Sequence, residues 1–215
     1  NVLLLVNPLN AVHGRGVYEN LRERGLDFMQ FMPCVVTSLD RGRSLDLAVR
    51  PEAFGEFLCA VFDAWMAEGD GRPYVRLFQN LLLLASGRPG ELCLYQPRCG
   101  GCLLVEYNGD VFPCDFAVQP EWRMGNLRVS PLWRLMEHEA MARFSGLKPN
   151  LSAECRACRW RRFCHGACPL LRFCEPGETA PSYTCAGLKL FYAHAMDRIE
   201  ALARELLARA RSGGR

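Results

Sequence analysis

The chain has 215 residues, half of them hydrophobic, a formal net charge of +3 and 12 cysteines. That composition excludes a disordered polypeptide and leaves room for one large core or two small ones, while so small a charge argues neither for nor against an acidic partner. No stretch reaches the roughly 18–20 apolar residues that a bilayer crossing needs, so neither a membrane nor a nucleic acid is an expected partner.

In chain order, Val2–Val6 is an apolar run of β character, met without an initiator Met, a basic n-region or a cleavage site. It reads as a buried strand entered in mid-fold, and the chain is expected to be a fragment. Val17–Arg24 carries a helical pattern ending at Gly25, Leu26–Met32 is a second strand, and Pro51–Glu68 is a helix opened by proline and stopped at Gly69. Strand–helix–strand–helix with short connections predicts a parallel α/β sheet or barrel, with about two such units present, too few to close a barrel. Leu77–Ala85 reads as a helix broken by Gly87-Arg88-Pro89-Gly90. Leu103–Tyr107, Asn108-Gly109 and Asp110–Phe112 predict a β-hairpin with a type I′ turn. Ser130 and Pro131 open a predicted helix running through Phe144. Residues 150–185 have little periodicity and a dense run of Cys, Arg, Gly and Pro, so this segment needs an organiser other than an apolar core. Ala186–Ala210 closes the chain as an amphipathic helix.

Cys155, Cys158, Cys164 and Cys168 lie within 14 residues, with Cys174 and Cys185 following, and Cys93, Cys99, Cys102 and Cys114 form a second group around the hairpin. In a chain of this length without a secretory signal, such thiols point to metal ligation in the cytoplasm rather than to disulfides. Thiolates on short loops converge readily on one soft metal centre. The five- and three-residue gaps suit an iron–sulfur cluster better than a zinc ion, although a zinc-stapled binding module remains the competing reading. Cys34 and Cys59 stand apart and read as small buried hydrophobes. Arg156, Arg159, Arg161 and Arg162 either offset cluster charge or form a solvated basic turn. Lysine occurs only at Lys148 and Lys189, a bias that reads as coding composition. His13, His138, His165 and His194 have no consistent partner spacing, and Glu106 and Asp110 read as hairpin residues.

The stretch Cys99–Asp115, containing Val105-Glu106-Tyr107-Asn108-Gly109-Asp110-Val111-Phe112-Pro113-Cys114-Asp115, resembles anaerobic sulfatase-maturating enzymes. These are radical S-adenosylmethionine (SAM) proteins with a SPASM extension. The likeness continues through Met124-Gly125-Asn126-Leu127, the Cys155–Cys168 run and Cys185, and Gln30-Phe31-Met32-Pro33-Cys34 resembles the last strand of the family's partial barrel. The resemblance implies an α/β fold: the C-terminal strands and helices of a partial (β/α)6 barrel over residues 1–72, then a cysteine-rich α+β SPASM domain over 73–215. It implies two auxiliary [4Fe–4S] clusters, the first held by Cys93, Cys99, Cys114 and Cys168, the second by Cys155, Cys158, Cys164 and Cys185. Cys102 and Cys174 are extra thiols that compete for those places.

The resemblance also implies a reaction. A 5′-deoxyadenosyl radical removes a Cβ hydrogen from a Cys or Ser of an unfolded sulfatase polypeptide, Asp115 takes the thiol or hydroxyl proton, and an electron leaves, giving formylglycine. An external electron donor or acceptor is the implied redox partner. Read from the residues alone, Asp115 is better explained as capping a turn after a strand, and only the resemblance favours the base role. Gln30 and Met32 lie where the family's barrels line the SAM pocket. A SAM-cleaving cluster leaves one iron open and is held by a CxxxCxxC loop. These 215 residues contain no such triplet, so SAM and a third [4Fe–4S] cluster are assigned to the full-length protein and the chain is not expected to act alone. Another SPASM peptide-modifying enzyme is the neighbouring alternative.

Overall fold

The computed structural model describes residues 1–35, 47–172 and 179–212. They divide into two units, Asn1–Leu92 with Ser182–Arg215, and Cys93–Pro181.

The first unit is built on a parallel sheet in the order β1 (Val2–Val6), β2 (Phe28–Pro33), β3 (Tyr74–Val75). Helix α1 (Gly14–Glu23) joins β1 to β2, α2 (Pro51–Ala67) precedes β3, and α3 (Arg76–Ala85) follows it. Alternation along β2 buries Met29 and Phe31 and leaves Phe28 and Met32 on the other face, as the two-residue period of a strand demands. Pro51 sits in the first turn of α2, where its missing N–H costs nothing. The helix is apolar almost all round (Phe54, Phe57, Leu58, Val61, Phe62 and Trp65 are buried), which makes it the centre of this unit. Its Phe57 meets Phe31 edge-on at 5.4 Å, and Phe62 meets Phe78 of α3 at 5.2 Å.

Helix α8 (Cys185–Ser212) returns to this unit and lies along α2. Its buried residues Leu188, Phe191, Tyr192, Ala195, Met196, Ile199, Leu202 and Ala203 recur at three and four, an amphipathic stripe. The two helices touch backbone to backbone at Gly55 and Gly187: a Cβ added to Gly187 would stand 1.8 Å from the Pro51 carbonyl oxygen. Tyr74 and Val75 extend the sheet beside Phe28 and Met29, and Asn80 of α3 accepts the N–H groups of Glu91 and Leu92 at 2.7 and 2.9 Å, so the first unit runs to Leu92 and includes the last helix.

The second unit has an antiparallel sheet of β4 (Leu104–Val105), β5 (Asp110–Phe112) and β6 (Gly125–Asn126), and short helices α4 (Leu132–Met136), α5 (Glu139–Leu147), α6 (Ala153–Ala157) and α7 (Arg161–Cys164). The expected hairpin is present with a different turn. The Gly109 N–H donates to the Glu106 carbonyl (2.8 Å), and Gly109 (φ 91°) is the one turn residue with positive φ, whereas a type I′ turn needs two. A three-residue loop ending in a left-handed glycine satisfies the same strands, with the Asn108 amide oxygen accepting the Asp110 N–H at 2.9 Å. Asn126 locks the loop, donating to the Asn108 carbonyl and the Asp110 carboxylate. Arg123 adds an ion pair that, with the Asn126 bond, holds the Asp110 carboxyl down to about 2.

The helix expected from Ser130 through Phe144 is two helices. His138 adopts an extended backbone (ψ 142°) and its Nδ1 accepts the Ala140 N–H at 3.1 Å, so it ends one helix and caps the next. Val111, Met124, Leu135 and Ala140 form one small core, and Ala117, Phe144 and Leu170 another. Cores this small fit the expectation that the cysteine-rich unit depends on something else for cohesion.

Candidate metal centre

The second apolar core carries the first group of thiols. Cys99, Cys114 and Cys168 all pack against Ala117, Phe144 and Leu170. Cys114 lies two residues past the hairpin's second strand, after Pro113, and Cys93 opens a short 3-10 turn through Tyr95. Their fields also reach one another: Cys168 and Cys93 raise the pKa of Cys99, Cys168 raises that of Cys114, and Cys93 raises that of Cys168. Burial is the larger cause in every case, and takes Cys114 up to about 12. Cys102 is exposed and lies in the fields of Cys93 and Asp115, beside this group rather than in its core.

The second group forms around two short helices. Ser152 caps α6 by accepting the Cys155 N–H at 3.2 Å, which seats the buried Cys155 in the first turn. Cys158 ends that helix and Cys164 ends α7, and both Cys155 and Cys158 act on Cys164. Cys185, the remaining member of the expected second set, is the first residue of α8 and belongs to the first unit. Cys174 lies outside the described residues. Cys34 and Cys59 are half-buried rather than fully buried, and burial takes the Cys59 thiol to about 11.

Between Cys164 and Cys168 the backbone runs through three left-handed residues, His165 (φ 47°), Gly166 (φ 75°) and Ala167 (φ 52°). Left-handed backbone costs a non-glycine residue about 1–2 kcal/mol, so His165 and Ala167 hold strain. The Ala167 and Leu171 N–H groups donate to the Cys164 and Cys168 carbonyls at 2.8 and 3.1 Å. The Gly166 N–H beside the Cys164 sulfur and the Leu170 N–H beside the Cys168 sulfur pull those thiol pKa values down against burial. Such donors favour the thiolate, the form that binds metal.

Two cations missed by sequence reasoning hold these loops. Arg172, 7% exposed, donates to the carbonyls of Gly166 (3.1 Å), Asn150 (2.9 Å), Lys148 (3.1 Å), Leu147 (3.3 Å) and His165 (3.4 Å). A side chain on Gly166 would strike its guanidinium at 2.6 Å. Lys148, 1% exposed, donates to the carbonyls of Cys93 and Leu94. By contrast Arg156, Arg159, Arg161 and Arg162, the candidates from sequence, are all exposed, with Arg159 and Arg162 lying over the rings of Trp160 and Phe163.

Asp115 is exposed, and its carboxylate accepts from the neighbouring Cys114 thiol at 3.2 Å. Among the described residues it caps no backbone N–H and forms no ion pair, so the turn-capping role does not describe it. Gln30 and Met32 lie on the sheet face away from α2, beside Leu3 and Leu5 of β1, and Gln30 accepts from Arg76 at 2.7 Å.

The donor set suits iron–sulfur clusters: free, partly shielded thiols in groups, with N–H donors aimed at sulfur and fixed cations alongside. Among the described residues no three His, Cys, Asp or Glu side chains converge closely enough to hold a single metal ion. No helix there is long and apolar enough to cross a membrane.

Residues 93–159 match the family model of SPASM, an iron–sulfur cluster-binding domain. The chain is 30% identical over 224 residues to a serine-type anaerobic sulfatase-maturating enzyme of Bacteroides thetaiotaomicron, covering 96% of this chain and 54% of that protein. It is 29% identical over 202 residues to a cysteine-type anaerobic sulfatase-maturating enzyme of Clostridium perfringens, covering 93% of this chain and 55% of the relative. The solved structure of native anSMEcpe with bound AdoMet superposes with a TM-score of 0.88 at 28% identity, over 95% of this chain and 56% of that one. A further structure of anSMEcpe, with AdoMet and the Cp18Cys peptide, gives the same TM-score. The chain thus spans about half the length of the relatives it matches.

Proposed function

Because this chain is a relative, through nearly its whole length, of the C-terminal part of anaerobic sulfatase-maturating enzymes, we propose that it is the electron-handling part of a radical SAM sulfatase maturase. Cys93, Cys99, Cys114 and Cys168 would hold one auxiliary [4Fe–4S] cluster. Cys155, Cys158 and Cys164 would hold another, with Cys185 as the fourth thiolate that the resemblance supplies. When bound, such fully ligated clusters store and pass single electrons. SAM and the third cluster belong to the complete enzyme, whose substrate would be a Cys or Ser of an unfolded sulfatase polypeptide, with an external electron donor or acceptor. The first unit fits the end of a partial (β/α)6 barrel: its sheet is parallel, and Leu3, Leu5, Phe28 and Met32 leave one face apolar and open, as a barrel interior requires. Gln30 and Met32 on that face would contact SAM. Reduced thiols in this number fit the cytoplasm.

The observation that carries the reading is the gathering of Cys99, Cys114 and Cys168 on one core beside the exposed carboxylate of Asp115, which accepts a hydrogen bond from the Cys114 thiol. With Cys114 engaged as a thiolate, that carboxylate has no thiol proton to accept from its neighbour and is free to take one from substrate. Asp115 would accept the proton of the substrate thiol or hydroxyl as the Cβ centre is oxidised to the aldehyde.

The test is Asp115→Asn in the full enzyme, assayed anaerobically by mass spectrometry on a sulfatase peptide carrying Cys or Ser. Iron and sulfide should match wild type while peptide oxidation falls by about 10²–10⁴, the usual worth of a positioned base. Unchanged oxidation would remove Asp115 from that role. Efficient conversion of the peptide to a product other than the aldehyde would favour a different SPASM peptide modification.

A further inference from the structure

Lys148 is one of two lysines among 26 basic residues, and it stands where α5 ends, 1% exposed. Its ammonium donates to the carbonyls of Cys93 and Leu94, the latter at 2.7 Å, and pairs with no carboxylate of the described residues. Removing an ammonium from water costs several kcal/mol, and two neutral carbonyls do not cancel its charge. Burial disfavours its charge, and the groups that favour it are Cys99, Cys93 and Cys168, three members of one proposed ligand set that are anionic once they bind a cluster. Arg172, the other buried cation nearby, also faces thiols, but those of both groups: Cys155 and Cys164 as well as Cys168 and Cys99. The exposed arginines of residues 156–162 are screened by water and salt and exert a weaker field.

We propose that Lys148 is the fixed counter-cation of the cluster held by Cys93, Cys99, Cys114 and Cys168, and that its charge sets how readily that cluster takes an electron. The proposal rests on the cluster reading above. A fixed positive charge in a poorly solvated site favours whichever redox state carries more negative charge, here the reduced one. The electron gained by the cluster is the one lost by the substrate. No bond to Lys148 forms or breaks, and its proton stays on Nζ. Lys148 is a positioning residue in this sense: it acts on the cluster and touches no substrate.

The experiment is a redox titration of the full enzyme followed by electron paramagnetic resonance, for wild type, Lys148→Met, Lys148→Gln and Lys148→Arg. The neutral variants should lower the reduced-to-oxidised ratio of one auxiliary signal at least tenfold at fixed potential, a shift of 59 mV for one electron. The other auxiliary signal should stay in place, and Lys148→Arg should remain near wild type. If the neutral variants lose one cluster's iron and sulfide while Lys148→Arg keeps it, the charge requirement stands. A ratio within about threefold of wild type in Lys148→Met and Lys148→Gln, or loss of the cluster from Lys148→Arg as well, overturns the proposal. A wild-type protein that binds zinc, or no iron, would instead sink the cluster reading itself.

Discussion

Replacing Gly187 by alanine drives a methyl group into the Pro51 carbonyl, the point where α8 crosses α2. The added Cβ would lie 1.8 Å from that oxygen, short of ordinary contact at 3.4 Å by about 1.6 Å. The obstacle is backbone at a helix start, so no rotamer change relieves it, and the helices must part. The faces that would part include Phe62, whose ring meets Phe191 at 5.9 Å, and Asp63, which pairs with His194 and Arg198. Overpacking of this kind costs up to about 3 kcal/mol, offset by about 1 kcal/mol from alanine's better helix propensity. The net loss is about 2 kcal/mol, which lowers Tm by about 4–8 °C in a chain of this size. Thermal unfolding followed by circular dichroism measures it. Gly16→Ala on α1 is the control, because nothing lies within 4 Å of its Cβ position, and it should leave Tm unchanged or slightly higher. A Gly187→Ala protein that melts with the control would refute the close-crossing argument.

Arg172→Met strips donors from five loop carbonyls and should cost at least about 3 kcal/mol, read as a lower urea midpoint. A midpoint equal to wild type would show that the loops hold themselves. Cys99→Ala should remove about half of the bound iron and sulfide, whereas Cys102→Ala should keep nearly all of it; equal losses would place Cys102 among the ligands. Burial lifts the Cys114 thiol from 9.0 to about 12 and the Cys59 thiol from 9.0 to about 11, so the folded metal-free chain keeps protons that the unfolded chain loses. The stability these thiols contribute is complete below pH 9.0 and disappears as pH climbs towards those higher values, so the metal-free Tm should fall above about pH 9. A Tm that rises over that range contradicts the burial of these thiols.

Much of the first unit is legible in the sequence because its signals are periodic. The apolar run Val2–Val6, the Pro51 start of α2 and the apolar stripe from Leu188 onward each state their element directly. What the sequence hides is which partner each element chooses. Nothing local says that α8 closes onto α2 through two facing glycines, since that contact joins residues 55 and 187. In the second unit the hairpin is readable from Asn108-Gly109, but its turn type depends on the Asn126 lock, 18 residues away in sequence. His138 conceals a helix break because its capping role uses a ring nitrogen, a rarer device than the Ser, Thr, Asp and Asn that patterns rely on.

The thiol groups can be found by spacing, while the residues that make them a site cannot. His165 and Ala167 give no hint of left-handed backbone, a conformation set by the N–H···S bonds and the Arg172 clamp around them. The arginines clustered among the cysteines attract notice yet face solvent, whereas Lys148 and Arg172 are the buried cations. In a chain so rich in arginine, a lysine just after a helix end and just before Pro149 is a usable signal.

The central claim is that these thiols hold two iron–sulfur clusters. Anaerobic purification of the chain with iron, sulfide and zinc analysis and Mössbauer spectroscopy tests it most directly. The account predicts a brown protein with iron and sulfide in equal amounts, roughly eight of each per chain, and the spectrum of [4Fe–4S] centres. A colourless protein holding stoichiometric zinc contradicts it.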